Sequence, residues 1–145
     1  MARRRRASAH RADVFISHSS RDRVFVERIV AVLRRHGIAC WYAPGSILGA
    51  QQWEDEIGRA LRQCNWFLVV LSKNALRSKW VKRELAYALD DDRYNVRILS
   101  IVKTPGNYAD LSWTLSSFQQ VDFSAGFEDG CVSLLRVWGV VYQPD

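Results

Sequence analysis

Residues 66–89 read WFLVVLSKNALRSKWVKRELAYAL, and the contrast between their two halves decides the fold class. The run from Trp66 to Ser72 is apolar almost without a break, as in a strand covered on both faces at the centre of a parallel sheet; a half-exposed strand would alternate. Beyond Lys73 and Asn74 the period changes. From about Ser78 onward, Val81, Leu85, Ala88 and Leu89 recur at helical spacing and mark an inner face, with Ser78 placed to cap the start. This helix runs into Asp90, Asp91 and Asp92, acids that oppose the macrodipole at a C-terminus, so that end is expected to fray.

The same alternation extends in both directions. Toward the N-terminus, Ala12 to Ser17 (ADVFIS) reads as a buried strand that breaks into the polar segment His18, Ser19, Ser20, Arg21, Asp22. Val24, Phe25, Ile29, Val32 and Leu33 then follow at helical spacing until Gly37. A short strand over Ile38 to Tyr42 leads to a loop with Pro44, Gly45 and Gly49, and Trp53, Ile57, Ala60 and Leu61 resume the helical period. Toward the C-terminus come a fourth strand, Val96 to Val102, a loop through Pro105, Gly106 and Asn107, a weaker strand around Phe118 to Phe123, and a last helix from about Phe127 to Val140. Strict alternation implies right-handed crossovers, hence an α/β fold: a flavodoxin-like three-layer sandwich, a five-stranded parallel sheet with helices on both faces. Ligands in such sheets sit beyond the carboxyl ends of the strands at the switch point, here between the first and third strands. The loops after Ser17, Tyr42, Ser72 and Val102 are therefore where a site is expected.

Composition narrows the function classes. A chain of 145 residues that is 48% hydrophobic, with six tryptophans, has the material for one well-packed domain. Its net charge of +6 is concentrated in Arg3, Arg4, Arg5, Arg6 and Arg11, an opening without a single acid, while the remainder is close to neutral. Residues 1–11 read as a basic, disordered leader and residues 12–142 as the domain; nucleic-acid contact by the leader is not expected. The longest apolar run, Trp66 to Leu71, falls far short of the roughly 20 residues of a membrane span. The Arg-rich opening lacks the apolar segment of a secretory signal, so a cytoplasmic location is expected. Cys40, Cys64 and Cys131 lack the spacing of a disulfide framework or a zinc site, and His10, His18 and His36 lack metal-ligand spacing, so no metal is expected. No glycine follows the first strand, which excludes a Rossmann fingerprint, and Ser72, Lys73, Asn74 supply no acid after the third, which excludes a receiver-type phosphotransfer site.

Two segments should face each other across the switch point: FISHSSRD, from Phe15 to Asp22, and LSKNALRSKWVKRE, from Leu71 to Glu84. Trp80 and Glu84 are one turn apart on one helix face, an indole beside a carboxylate, which suits a ribosylated base. Glu84 borders the apolar face through Val81 and Leu85, a setting that desolvates a carboxyl and perturbs its pKa. The alternative is a surface glutamate paired with Lys79, Lys82 or Arg83, beside a tryptophan that only packs. Spacing leaves both open.

From Asp13 to about Val140 the chain resembles the TIR (Toll/interleukin-1 receptor) domain family, in the manner of a bacterial stand-alone member. DVFISHSSRD is similar to that family's first box, WYAPGSILGAQQWEDEIGRAL to its second strand, BB loop and following helix, and LVVLSKNALRSKWVKREL to its third strand and SxWxxxEL helix. The resemblance implies an NAD+ hydrolase or cyclase that cleaves the nicotinamide–ribose bond to give ADP-ribose or a cyclic ADP-ribose signal, in antiviral defence, innate immunity or cell-death signalling. It places the catalytic glutamate on Glu84. It puts Phe15, Ser17, His18 and Trp80 around the substrate, with Ala43, Pro44 and Ile47 in a BB loop, Ala43 to Gln52, that acts as a lid. NAD+ would be substrate, with no cofactor, and other TIR domains would be partners through the BB loop, with an effector or sensor protein as a further partner. In that loop Pro44, Gly45, Ser46 come first, and Leu48, Gly49 stands where the family has Pro-Gly. The alternative within the family is a non-catalytic adaptor acting through homotypic TIR contacts.

Overall fold

A computed structural model of the chain describes residues 12–42 and 53–145, with the side chains of 53 and 54 left aside. Five strands, β1 Asp13–Ser17, β2 Ala39–Tyr42, β3 Trp66–Leu71, β4 Ile98–Val102 and β5 Gln119–Asp122, form one sheet in the order β2-β1-β3-β4-β5. All four pairings are parallel. This is the expected flavodoxin-like arrangement. The order reverses at β1, which lies between β2 and β3, so the carboxyl ends of β1 and β3 flank the switch point.

The unbroken apolar run of β3 has a direct cause in its position. Leu68 and Val70 pack into one core layer together with Val14 and Ile16 of β1. This layer lies beneath the helices α1 (Arg23–Arg35) and α4 (Phe127–Arg136). Phe67, Val69 and Leu71 point the other way, into a second layer with Phe15. There they meet α2 (Gly58–Gln63, preceded by a π-helical turn over Trp53–Ile57) and α3 (Lys79–Leu89). Each fully buried Leu, Val or Phe contributes about 1.5–3 kcal/mol over an exposed one, so β3 serves two cores at once.

Local signals account for most boundaries. Ser78 caps α3 by accepting the Val81 amide at 3.2 Å. At the C-termini of α1 and α4, Gly37 (φ +82°) and Gly139 (φ +70°) take the left-handed conformation. In both places the following residue bonds back five positions, Ile38 N–H to the Leu33 carbonyl at 2.9 Å and Val140 N–H to the Leu135 carbonyl at 3.0 Å, a Schellman closure.

The structure departs from the sequence reading at several ends. Helix α4 stops at Arg136 rather than Val140, because the Gly139 closure uses up the last residues. In α1 the buried positions are Val26, Ile29, Val30 and Leu33, and Val24, expected on that stripe, is 75% exposed. Leu89, expected on the inner face of α3, is an exposed side chain at its last position. The acidic run after it is fastened where fraying was expected. Asp91 accepts the Arg93 backbone amide at 2.9 Å, the Arg93 guanidinium donates to the Leu61 carbonyl at 2.8 Å, and the buried Tyr94 hydroxyl donates to that same carbonyl. This turn displaces the start of β4 from Val96, which is exposed, to Ile98.

Candidate functional site

The second core layer ends, at its carboxyl edge, in polar groups. Phe15 lies fully buried between Trp41 of β2, ring centroids 5.1 Å apart, and Phe67 of β3, 5.6 Å away, so three strands contribute a stacked aromatic layer. Two residues further along the same face of β1 is Ser17, also fully buried. Its hydroxyl donates to Oε1 of Glu84 at 2.6 Å. Glu84 is 2% exposed, which removes the surface-glutamate alternative. The cause is the helical period: Val81, Leu85 and Ala88 dock α3 on the sheet, and Glu84, beside Leu85, is carried inward with them.

Burial pushes the Glu84 carboxyl up to about 8, while the Ser17 hydrogen bond and the Arg83 charge pull it the other way. A carboxyl with this displacement at the switch point of a parallel sheet has the features of a functional group. Trp80, one turn earlier, is half-buried against the same layer, with the Arg83 guanidinium 5.3 Å from its ring.

The expected site residues do not all come together. Phe15, Ser17, Trp80 and Glu84 share the α3 side of the sheet. His18 falls on the other side, next to Tyr42 (ring centroids 6.0 Å apart), because one step along an extended chain reverses side-chain direction. The Arg23 guanidinium covers the same Tyr42 ring at 5.3 Å. His18 is 7% exposed, burial lowers its pKa, and its Nδ1 has no hydrogen-bond partner among the described residues. Ala43, Pro44 and Ile47, with the rest of the expected BB loop, lie outside the described residues, as do residues 1–11.

The fold builds a second polar cluster that the sequence pattern does not reveal. Asp22, 1% exposed, accepts the Ser72 hydroxyl, the Asn74 amide at 3.1 Å and the Lys103 ammonium at 2.9 Å. Burial pushes the Asp22 carboxyl up, but the bonds from Ser72, Lys103 and Asn74 outweigh it and hold the group below its ordinary value. One carboxylate thus joins the loops that follow β1, β3 and β4. Asp22, Asn74 and Lys103 lie in the loops after Ser17, Ser72 and Val102, where a site is expected, Ser72 immediately precedes one of them, and only the folded chain shows that the four converge. Among the described residues no group of His, Cys, Asp and Glu has the make-up of a metal site, and no helix is long and apolar enough to cross a membrane.

Comparison with known proteins extends this picture. The model of a family described as TIR domain matches residues 14–135. The chain is 36% identical over 74 residues to the NAD(+) hydrolase TcpC of Escherichia coli O6:H1, a match covering 50% of this chain and 24% of that protein. It is 30% identical over 73 residues to the probable 2′ cyclic ADP-D-ribose synthase TcpO of Methanobrevibacter olleyae, covering 50% of this chain and 21% of that one. Both matches therefore span half of this chain and a quarter or less of the relative. Among solved structures, the TIR domain of the Toll-related receptor TRR-2 from Hydra magnipapillata superposes with a TM-score of 0.63 at 20% identity, covering 86% of this chain and 98% of that domain. The TIR domains of the activated Roq1 resistosome superpose with a TM-score of 0.61 at 16% identity, over 87% and 96% of the two chains. At these identities the superpositions establish the fold.

Proposed function

This chain belongs to the TIR domain family, and we propose that it is an NAD+-consuming member that cleaves the nicotinamide–ribose bond, with Glu84 as the catalytic carboxylate. The observation that carries this reading is Glu84 itself: a glutamate 2% exposed, held by Ser17 at the switch point, in the helix that bears the family's SxWxxxEL pattern. The names of the relatives, an NAD(+) hydrolase and a probable 2′ cyclic ADP-D-ribose synthase, support it.

The chemistry suits a single carboxylate. The C1′–N bond breaks with its electron pair going to the pyridinium nitrogen, so nicotinamide leaves neutral and needs no general acid, unlike the leaving group of an ordinary glycosidase. Positive charge develops on the ribosyl C1′ and ring oxygen. Glu84, once ionised, holds the ribose hydroxyls and stabilises that charge in a poorly solvated setting. Water then attacks C1′ and releases a proton, giving ADP-ribose, or a hydroxyl of the ADP-ribosyl group attacks C1′, likewise releasing its proton, and closes a ring. Trp80, one turn before Glu84 on the same helix and with the Arg83 guanidinium over its ring, is the residue proposed to contact the base or ribose. Other TIR domains are the proposed partners in assembly, through residues 43–52.

The test is nicotinamide release from NAD+, followed by liquid chromatography with mass detection at high protein concentration. Release by the wild type and its absence in Glu84→Ala would support the enzyme, and the ribosyl product would distinguish hydrolysis from cyclisation. Equal silence of both proteins in samples shown by light scattering to be assembled would favour an adaptor that works through TIR–TIR contacts.

A further inference from the structure

The Glu84 carboxyl has one hydrogen-bond donor among the described residues, the hydroxyl of Ser17. Both side chains are buried, at 2% and 0% exposure, and they join the end of β1 to the second turn of α3. We propose that Ser17 is a positioning residue: by donating to Oε1 it fixes the orientation of the Glu84 carboxyl and favours the ionised form that the reaction requires. This rests on the proposed function, in which Glu84 must be charged to stabilise an oxocarbenium-like centre.

The surroundings leave this task to few groups. Burial disfavours the charge most strongly, and Ser17 is the first influence that opposes it, followed by Arg83 on the same helix. Helix α3 packs against β1, β3 and the turn Asp92–Tyr94, and among the described residues no ionised side chain from those elements bears on Glu84. His18 beside Ser17 turns to the other face of the sheet, and Asp22 and Lys103 are engaged with one another. The segment from Ala43 to Gln52 contains no charged residue. A buried carboxylate with one hydroxyl donor depends on that donor, since a hydrogen bond to a charged group outweighs one between neutral groups. Ser17 is so placed because β1 ends there, with its last side chain on the α3 side of the sheet.

The experiment is a carboxyl-carbon NMR titration of glutamate-labelled protein for wild type, Ser17→Ala and Ser17→Thr, with Glu84→Gln to assign the signal, alongside pH profiles of kcat/KM for NAD+. Ser17→Ala should move the Glu84 midpoint upward by about one pH unit and lower kcat/KM near pH 7 by about tenfold, with the loss disappearing at alkaline pH. Ser17→Thr, which keeps a hydroxyl, should retain the wild-type midpoint and profile. An unchanged midpoint in Ser17→Ala, or a loss of activity equal at every pH, would overturn the proposal. The titration needs no turnover: a shifted midpoint in a protein that never cleaves NAD+ would uphold the pairing while refuting the enzymatic reading.

Discussion

The Lys103 ammonium lies 2.9 Å from the Asp22 carboxylate, joining the end of β4 to the loop after β1, and Asp22 is 1% exposed. With Ser72 and Asn74 on the same carboxylate, removing it leaves three donors without their acceptor. Asp22→Ala is expected to destabilise the fold by roughly 2–4 kcal/mol, toward the low end of a broken buried pair because the Lys103 side chain is 34% exposed and rehydrates. Urea unfolding of the two proteins measures this.

The same carboxylate sets an acid limit. Its folded pKa lies below the ordinary 3.8, so its contribution is present above that value and is lost as pH falls through the lower, folded one. Asp22→Asn should lack this part of the acid unfolding, and thermal melts below about pH 4 should converge for the two proteins.

Glu84 acts in the opposite sense. Its folded value, about 8, lies above the ordinary 4.5, so the stability of burying the neutral acid is fully present below about 4.5 and is lost as pH rises to about 8. Each unit of displacement corresponds to about 1.4 kcal/mol. Glu84→Gln, which does not titrate, should match the wild type near pH 4 and exceed it in melting temperature at pH 9. Identical curves at both pH values would show that the carboxyl is not buried as described.

Ser78 is a cap with one assignable bond, the Val81 amide at 3.2 Å. Ser78→Ala should cost about 1 kcal/mol, and Ser78→Asp should restore most of it. Chemical denaturation resolves a difference of that size.

Trp80 is expected to act on binding more than on bond cleavage. Trp80→Ala should raise KM for NAD+ by roughly threefold to tenfold with a smaller change in kcat, as follows from loss of an aromatic contact. Trp80→Phe should recover much of the loss. A fall confined to kcat would assign the indole a different role.

Much of this was legible in the chain. The change from the apolar run Trp66–Ser72 to the spacing of Val81, Leu85 and Ala88 is a local pattern, and it suffices to place β3 and α3; for Glu84, at the border of the inner face, spacing leaves burial and a surface position both open, and the fold decides for burial. Repetition of that pattern implies the parallel sheet and its switch point. Element ends were harder. Glycine closure at Gly139 and the turn held by Arg93 depend on hydrogen bonds that periodicity does not encode, so the sequence pattern extends α4 and β4 beyond their actual ends. The Asp22 cluster was invisible for another reason: its members are separated by up to 81 positions and meet only when the sheet is assembled. Ser17 was legible as a site residue from family resemblance, but its bond to Glu84 spans 67 positions and required the fold. His18, read from the same segment, lies across the sheet because alternation along β1 separates it from its neighbour.

The central claim is that the charge of Glu84, in the position it occupies, cleaves the nicotinamide–ribose bond. Its most direct test is kcat/KM for NAD+ in wild type and Glu84→Gln, measured near pH 8 at a temperature where both proteins are fully folded and with matched assembly by light scattering. Glu84→Gln keeps the shape of the side chain and an acceptor for Ser17 but cannot carry the charge. A loss of about a hundredfold or more is predicted, the scale expected when a single charge-stabilising group is removed from a buried site. Turnover by Glu84→Gln within about twofold of a measurably active wild type would contradict it, since a charge worth even 1.4 kcal/mol would alter the rate tenfold.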